Sequence, residues 1–161
     1  MKTNSSNQRK KVTIRPVTAN DLQELVDLER ECFTTEAYQE SQMRDLLESP
    51  NAIAFVAKID ADIAGFVISL VEDLEGAKIG HIVTIDVAVK HRRRGVGLTL
   101  LKAAEDALAR RKVRAVYLEV RADNTSALQL YKKQGYVKTE ILENYYASGI
   151  RAHRMMRRLK S

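Results

Sequence analysis

The sequence predicts an α/β protein with a single mixed, mostly antiparallel β-sheet flanked by about four helices. A strand–helix–strand unit predicts one parallel pair, because residues 79–89 and 116–120 are rich in β-branched residues and a long helical pattern separates them. Such crossovers are almost always right-handed and join parallel strands. The other strand candidates follow one another across short turns, which predicts antiparallel hairpins.

The chain from residue 12 begins with a strand and a helix. Residues 12–17 predict a short first strand that ends near a proline. Thr18 or Asn20 can cap the next helix. Its apolar positions follow helical spacing at Leu22, Leu25, Val26 and Leu28, and residues 32–35 break it.

A second helix and a hairpin follow. Residues 39–48 predict a helix that stops before Pro50, since the residue before proline disfavours the helical region. Residues 52–59 and 63–71 predict two strands joined by a tight turn, and residues 72–78 predict a polar turn before the next strand.

The second half repeats the alternation of strands and helices. A helix is expected after Gly97, with Leu100, Leu101, Ala104, Ala107 and Leu108 on one face. Asn124 can cap a shorter helix over residues 125–133, which Gly135 ends. Residues 136–142 and 152–159 are the final strand candidates.

Composition indicates one intracellular domain. The chain has 161 residues, of which 45% are hydrophobic and 30% charged, as in soluble globular proteins. No apolar run approaches a membrane span, the first residues lack the apolar core of a signal peptide, and the single cysteine, Cys32, excludes an intramolecular disulfide. We therefore expect a cytoplasmic protein, with a disordered basic tail over residues 1–11 and one domain over residues 12–161.

Positive charge is concentrated at the two ends of the sequence. The net charge is +6, and residues 1–11 and 151–161 together hold nine of the 27 basic residues without any acid. Such ends favour contact with an acidic or RNA-rich partner, of which the ribosome is one candidate. The alternative is that they only keep the protein soluble. We expect no membrane partner and no specific DNA binding, and the oligomeric state stays open.

The junction between the strand at 79–89 and the following helix carries the main functional motif. Three arginines and two glycines, residues 92–97, lie where the helix begins. Glycine allows close approach to the main chain, and the first turn of a helix offers unpaired N–H groups and a positive dipole end. This arrangement predicts a cradle for phosphate oxygens, with a simple tight turn as the alternative. A nucleotide P-loop is disfavoured, because the motif lacks the Gly-Lys-Ser/Thr ending.

Several motifs occur together with this cradle at fixed distances. The sequence L-E-V-R occupies residues 118–121, Asn124 follows, and L-Y-K-K-Q-G-Y spans residues 130–136. In this combination the chain resembles the GNAT family of N-acetyltransferases. Within the family it looks most like the RimI-like and archaeal enzymes that acetylate protein N-termini. The resemblance covers roughly residues 12–160 and implies a GNAT fold, with the sheet splayed between its central parallel strands.

The resemblance implies acetyl-CoA as cosubstrate and no metal. The main chain at Ile85, Asp86 and Val87 would contact the pantetheine arm and the acetyl carbonyl. The cradle would hold the pyrophosphate, and two further side chains would contact the cofactor arm or its sulfur. These cradle and side-chain residues are Arg92, Arg93, Arg94, Gly95, Val96, Gly97, Asn124 and Tyr131. For Asn124 a pure helix cap is the alternative, and for Tyr131 a core-packing aromatic.

Two side chains are implied as the catalytic pair. Glu119 would act as general base and Tyr131 as general acid toward the departing thiolate, and the two lie twelve residues apart (131 − 119) as in RimI-like enzymes. Partial burial would raise the pKa of Glu119 toward the range useful for a base. The alternative is a surface-facing strand residue. Cys32 is disfavoured as an acyl-carrying nucleophile.

The acceptor side is implied less directly. Phe33, Glu36, Tyr38, Tyr145 and Tyr146 are the candidates for a peptide groove, and Glu36 could share the base role. The segment after Phe33 lacks the proline often found there in the family, which leaves the pocket for the first substrate residue undefined. The expected reaction is acetylation of the α-amino group of protein N-termini. A small-molecule amine acetyltransferase, or a CoA-binding or ribosome-associated module without turnover, is the alternative.

Overall fold

The computed structural model describes residues 10–33, 35–147 and 149–160. A seven-stranded sheet runs through it in the order β1-β2-β3-β4-β5-β7-β6. The strands are β1 (Val12–Pro16), β2 (Ala52–Ile59), β3 (Asp62–Leu74), β4 (Ala77–Val87), β5 (Ala115–Arg121), β6 (Val137–Leu142) and β7 (Ala152–Arg158). Of the basic tail expected over residues 1–11, residues 1–9 lie outside the described part, so its expected disorder stays a prediction.

One pair of neighbouring strands is parallel, and this pair separates halfway along its length. Ile79 to Ile82 of β4 pair with Ala115 to Leu118 of β5, whereas β4 continues to Val87 and β5 to Arg121 without further pairing. The neighbouring pairs β1–β2, β2–β3, β3–β4, β5–β7 and β6–β7 are all antiparallel. The expected mixed sheet with a splay between its parallel strands is confirmed.

Four helices flank the sheet. They are α1 (Leu22–Cys32), α2 (Glu40–Glu48), α3 (Val96–Arg110) and α4 (Thr125–Lys133). Thr18 and Asp21 form a capping box, but it caps a short 3₁₀ turn, Ala19–Asp21, that leads into α1. The helix expected after Gly97 starts one residue before it, because Gly95 occupies the N-cap position.

Two apolar cores lie on opposite faces of the sheet. Leu100, Leu101 and Leu108 of α3 are fully buried against the inner strands. On the other face α1 and α2 pack Leu25, Val26 and Met43 against Phe66 of β3. The burial follows the helical spacing of these residues, since positions three and four apart share one helix face.

The polar turn expected over residues 72–78 is shorter in the structure. β3 runs on to Leu74 and β4 begins at Ala77, so only two residues connect them. Glu75 and Gly76 both have positive φ, 53° and 82°. Two such residues form the tight hairpin turn that best matches the twist of paired strands.

A β-bulge in β4 changes which side chains face each core. Ser69 of β3 pairs with Ile82 but Ile68 pairs with Thr84, so Val83 has no partner in the β3–β4 pairing. As a result Ile82 packs in the core under α3, whereas Thr84, two residues later, lies within 3.5 Å of Glu29 of α1. Side chains two apart would share a face without the bulge. In the described part of the chain, no helix is long and apolar enough to cross a membrane.

Candidate active site

A cavity of about 160 Å³ opens where β4 and β5 separate. Four parts of the chain line it: the end of α1 with the connection after it, residues 81–85 of β4, the end of β5 with α4, and the connection between β6 and β7. Nine of the predicted site residues line this cavity: Phe33, Glu36, Tyr38, Ile85, Glu119, Asn124, Tyr131, Tyr145 and Tyr146. The splay therefore brings residues from distant parts of the sequence around one space.

Glu119 lies in this cavity between the imidazole of His81 and the guanidinium of Arg154. Its side chain is only 9% exposed, with Oε2 2.7 Å from Nε2 of His81 and Oε1 3.2 Å from a guanidinium nitrogen of Arg154. Burial alone would raise the pKa of Glu119, but the hydrogen bonds and charges of His81 and Arg154 outweigh it, so the pKa lies below its ordinary value. The expectation of a raised pKa was therefore wrong, as was the alternative of a surface-facing side chain.

No sequence motif pointed to His81 as a site residue. Its ring stacks on Tyr117, with the two ring centroids 4.3 Å apart and the planes 5° from parallel. Tyr117 in turn donates a 2.7 Å hydrogen bond to Glu72, whose carboxylate also lies 3.4 Å from Nδ1 of His81. These contacts fix the imidazole with Nε2 directed at Glu119.

Tyr131 faces the cavity from α4 and is 8% exposed. Burial raises the pKa of its hydroxyl well above the ordinary value, with smaller contributions from Asp86 and Tyr146. The phenol is therefore protonated at neutral pH, as a proton donor must be. Asn124 caps the same helix, because its Oδ1 accepts a 3.2 Å hydrogen bond from the amide of Ala127. The capping role considered for Asn124 is confirmed, and it leaves the side chain at the cavity wall.

Arg121 connects two parts of the cavity wall that holds the candidate acceptor residues. We call this the acceptor wall: Phe33, Glu36, Tyr38, Tyr145 and Tyr146. It donates to Glu36 at 3.1 Å and to Asp123 at 3.0 Å, and its guanidinium carbon lies 5.5 Å from the ring centroid of Tyr146. Tyr145 and Tyr146 meet edge to face at 5.0 Å, and burial, followed by Tyr145 and Glu119, raises the pKa of Tyr146 to about 12. One cation thus holds the connection after α1 against the connection before β7.

Two buried carboxyl groups lie beneath this wall. Glu29 is 1% exposed, and its Oε1 accepts a 3.3 Å hydrogen bond from the amide of Tyr38. Thr84 donates to Oδ1 of Asp86 at 2.6 Å, while Oδ2 of Asp86 has no partner among the described groups. Burial, and then Glu29, hold the pKa of Asp86 well above its ordinary value. The carboxyl of Asp86 therefore keeps its proton to higher pH than an exposed aspartic acid does.

The side chain of Asp86 therefore points toward α1 and away from the gap between β4 and β5. The sequence assigned only the main chain of Asp86 to the cofactor, and the structure leaves that main chain unpaired with β5. The β-bulge at Val83 accounts for the direction of the side chain, because it turns Thr84 and Asp86 to the face covered by α1.

The predicted phosphate cradle lies at the start of α3. Arg93 and Gly95 have φ of 62° and 77°, the left-handed conformation that turns the chain sharply into the helix. The first-turn amides of α3 have no acceptor within the helix and point outward. A Cβ at Gly97 would lie 3.5 Å from Leu130 of α4, so the cradle packs close to the helix that carries Tyr131.

The three arginines of the cradle differ in their contacts. Arg92 donates to the carbonyl of Val87 at 3.1 Å and lies 3.6 Å from Sγ of Cys32, so it connects the cradle to the end of α1. Arg93 and Arg94 are exposed. Burial, followed by the nearby Asp86, raises the pKa of the Cys32 thiol to about 11, which agrees with the sequence argument against a nucleophilic cysteine.

Comparison with known proteins agrees with this geometry. Residues 22–136 match the acetyltransferase (GNAT) family. The chain is 32% identical over 155 residues to an N-alpha-acetyltransferase of Sulfurisphaera tokodaii, and the match covers 91% of this chain and 92% of that protein.

Two solved structures show the same fold. The ribosomal-protein-S18-alanine N-acetyltransferase of Escherichia coli has a TM-score of 0.83 and 26% identity, over 94% of this chain and 96% of that one. Ard1 of Thermoplasma volcanium has a TM-score of 0.82 and 28% identity, over 93% and 99%. The family match across most of the domain and relatives aligned along nearly their whole length confirm the resemblance seen in the motifs: this chain belongs to the GNAT family of acetyltransferases.

Proposed function

We propose that this protein transfers the acetyl group of acetyl-CoA to the α-amino group of protein N-termini. One observation carries the proposal: the candidate acid and base and all five candidate acceptor residues line a single cavity at the gap between β4 and β5. The similarity to N-alpha-acetyltransferases along almost the whole chain supports this acceptor class.

The gap and the cradle fit acetyl-CoA. Beyond Ile82 the edge of β4 lacks a partner strand, so its main-chain groups are available to an extended ligand that adds to the sheet. The outward amides of the first turn of α3 and the exposed Arg93 and Arg94 suit a pyrophosphate. Bound there, acetyl-CoA supplies an activated acetyl group as a thioester.

His81 and Glu119 act together as the base. A peptide amine is mostly ammonium at neutral pH and must lose a proton before it attacks the acetyl carbonyl. Glu119 is a weak base because its pKa is lowered, but its carboxylate stabilises positive charge on the imidazole 2.7 Å away. The pair therefore accepts the proton of the amine, either on His81 or through a bridging water.

Tyr131 completes the proton transfers. Its protonated hydroxyl faces the cavity and gives a proton to the sulfur as the thioester bond breaks, so the products are an acetylated amine and a CoA thiol. Main-chain N–H groups of residues 85–87 polarise the acetyl carbonyl in this mechanism. Arg121 and Glu36 hold the acceptor wall in place around the first substrate residues.

The ribosome is the partner that we propose presents these N-termini. The relatives include an enzyme named for the alanine of a ribosomal protein, which supports a substrate of this kind. Nascent chains expose their N-termini at the ribosome, so an enzyme near its RNA surface would meet them early.

The deciding experiment incubates the protein with acetyl-CoA and short peptides that differ in their first two residues. Polyamines and free lysine are included as alternative acceptors. We expect mass spectrometry to find one acetyl group on the α-amine of a subset of the peptides. Acetylation of only the small amines would overturn the proposal in favour of a small-molecule enzyme, and CoA release with none of the acceptors would favour a binding module.

A further inference from the structure

Seven basic side chains gather at the end of the sheet opposite the phosphate cradle. We call this set the basic end: Lys78, Arg110, Arg111, Lys112, Arg114, Arg158 and Lys160. They come from three parts of the chain that the sheet aligns, since Ala115 pairs with both Ile79 and Arg158 and the amide of Leu159 donates to the carbonyl of Arg114 at 2.8 Å. All seven are exposed.

These side chains have no compensating acids in contact. Across residues 10–33, 35–147 and 149–160, no ion pair or side-chain hydrogen bond involves any of the seven. The remaining arginines near the C-terminus are neutralised: Arg151 pairs with Glu143, Arg154 with Glu119 and Glu140, and Arg157 with Glu105. The free positive charge of the C-terminal segment is therefore confined to the basic end.

Residues 110–114 of the basic end are far from the candidate active site, whereas Lys78 lies three positions before His81 on β4. α3 has 15 residues, so its cradle end and its basic end are about 22 Å apart at 1.5 Å per residue. Along β5, Arg114 precedes Glu119 by five residues, or about 17 Å. A ligand on the basic end would leave the cavity and the cradle open.

We propose that the basic end binds the phosphate backbone of RNA. Four of its seven residues are arginines, whose planar guanidinium groups suit phosphate oxygens. It has no aromatic side chain on which a base could stack, which predicts binding independent of sequence. Val113 is buried and Leu159 packs against the core, so the apolar residues within segments 110–114 and 158–160 are withdrawn. Leu74, in the hairpin beside Lys78, is exposed, but one such side chain is a weak anchor for a membrane-binding face.

RNA binding at this end would be the physical basis of the ribosome association proposed above. It does not depend on acetyl transfer. The enzyme would dock by its basic end with the cavity directed away from the RNA. Docking would be salt-sensitive, because phosphate contacts release condensed cations, with a slope of about −0.9 per neutralised phosphate on a duplex.

The test measures fluorescence anisotropy of a labelled RNA hairpin with the full-length protein over a range of salt concentrations. The variant carries Arg111→Gln, Lys112→Gln and Arg114→Gln together. We expect RNA binding to weaken at least tenfold and the salt slope to fall by about one per removed contact. A matched control removes the same charge elsewhere, at exposed Lys132, Lys133 and Lys138, and should change the Kd by less than about twofold.

Four further measurements make the outcome decisive. The variant Arg158→Gln/Lys160→Gln, in another segment, should weaken RNA binding as well, which separates lost contacts from a local change in α3. Acetylation of a free peptide should be unchanged in all these variants. The proposal is overturned if the control weakens binding as much as the test variant, if excess acetyl-CoA displaces the RNA, or if phosphatidylserine vesicles bind the basic end and the hairpin does not.

Discussion

Nε2 of His81 lies 2.7 Å from Oε2 of Glu119, although the two residues come from different strands and are 38 positions apart in the sequence. Pairing of β4 with β5 stops one residue after His81 and one before Glu119. The contact therefore spans the point at which the two strands begin to separate. It places a titratable pair at the inner end of the gap, where a proton can leave an amine held in the cavity.

The first prediction concerns the charge that keeps Glu119 ionised. Arg154→Gln removes a cation 3.2 Å from its carboxylate, so the pKa of Glu119 should rise. A higher pKa means protonation at higher pH on acidification, and the acid limb of kcat/KM should move to higher pH. The control is Arg151→Gln, which breaks the exposed pair with Glu143 and should leave the pH profile unchanged. An unshifted limb in Arg154→Gln would show that Glu119 does not control the profile.

The second prediction tests the proton donor. Tyr131→Phe removes the hydroxyl that faces the cavity and should lower kcat about a hundredfold or more. The affinity for acetyl-CoA, measured by calorimetry, should be retained because the ring still packs in α4. Tyr136→Phe is the matched control: it removes a neighbouring hydroxyl, bonded to Glu105 at 3.0 Å, and should cost stability but not turnover. Equal kcat in Tyr131→Phe and the wild type would exclude Tyr131 as the acid.

The third prediction concerns the acceptor wall. Arg121→Gln and Glu36→Gln should each raise KM for the peptide several-fold with little change in KM for acetyl-CoA, because their 3.1 Å contact joins two parts of the wall. In the double variant the effects should fall short of additive, by about 0.5–1 kcal/mol. Asp123→Asn breaks the other ion pair of Arg121 and serves as the comparison. Full additivity of Arg121→Gln and Glu36→Gln would mean that the contact does not shape the wall.

The fourth prediction follows from the buried carboxyl pair. A group whose pKa is higher in the folded than in the unfolded chain holds more protons when folded, so the free energy of unfolding falls as pH rises from about 4, the ordinary pKa of aspartic acid. Asp86→Asn removes this dependence and supplies a neutral donor to Glu29. It should gain stability relative to the wild type as pH rises, as measured by urea unfolding. The stability of the exposed variant Asp106→Asn should change with pH as that of the wild type does, and a curve for Asp86→Asn parallel to the wild type would contradict the raised pKa of Asp86.

The sequence sufficed for the fold because local patterns and global topology agree. The helical crossover between β4 and β5 required parallel pairing, and the short connections elsewhere required antiparallel pairing. Element boundaries were harder to predict. The polar residues at the end of β3 were expected to form a turn, but two residues are enough to reverse the chain between antiparallel strands.

Sequence motifs predicted those cavity residues that the motifs contain. They did not predict the partners that change the pKa values of these residues. His81 and Arg154 modify Glu119 through contacts across strands, and strand register is not visible in a single sequence. The bulge at Val83 adds to this, because strict alternation would have placed His81 and Thr84 on opposite faces of β4. The lowered pKa of Glu119 is a property of these contacts, whereas reasoning from burial alone gave the opposite sign.

The short β4–β5 pairing also has a mechanical consequence. Among the described residues, the four-residue ladder from Ile79 to Ile82 is the sheet hydrogen bonding that joins β1–β4 to β5–β7. The boundary between these two halves of the sheet thus passes through the candidate active site. A ligand that adds to the free edge of β4 and contacts α4 would join the two halves. We therefore expect amide hydrogen exchange to slow in both β1–β4 and β5–β7 when acetyl-CoA binds. With the cosubstrate bound, the two halves of the sheet should unfold together as one cooperative unit.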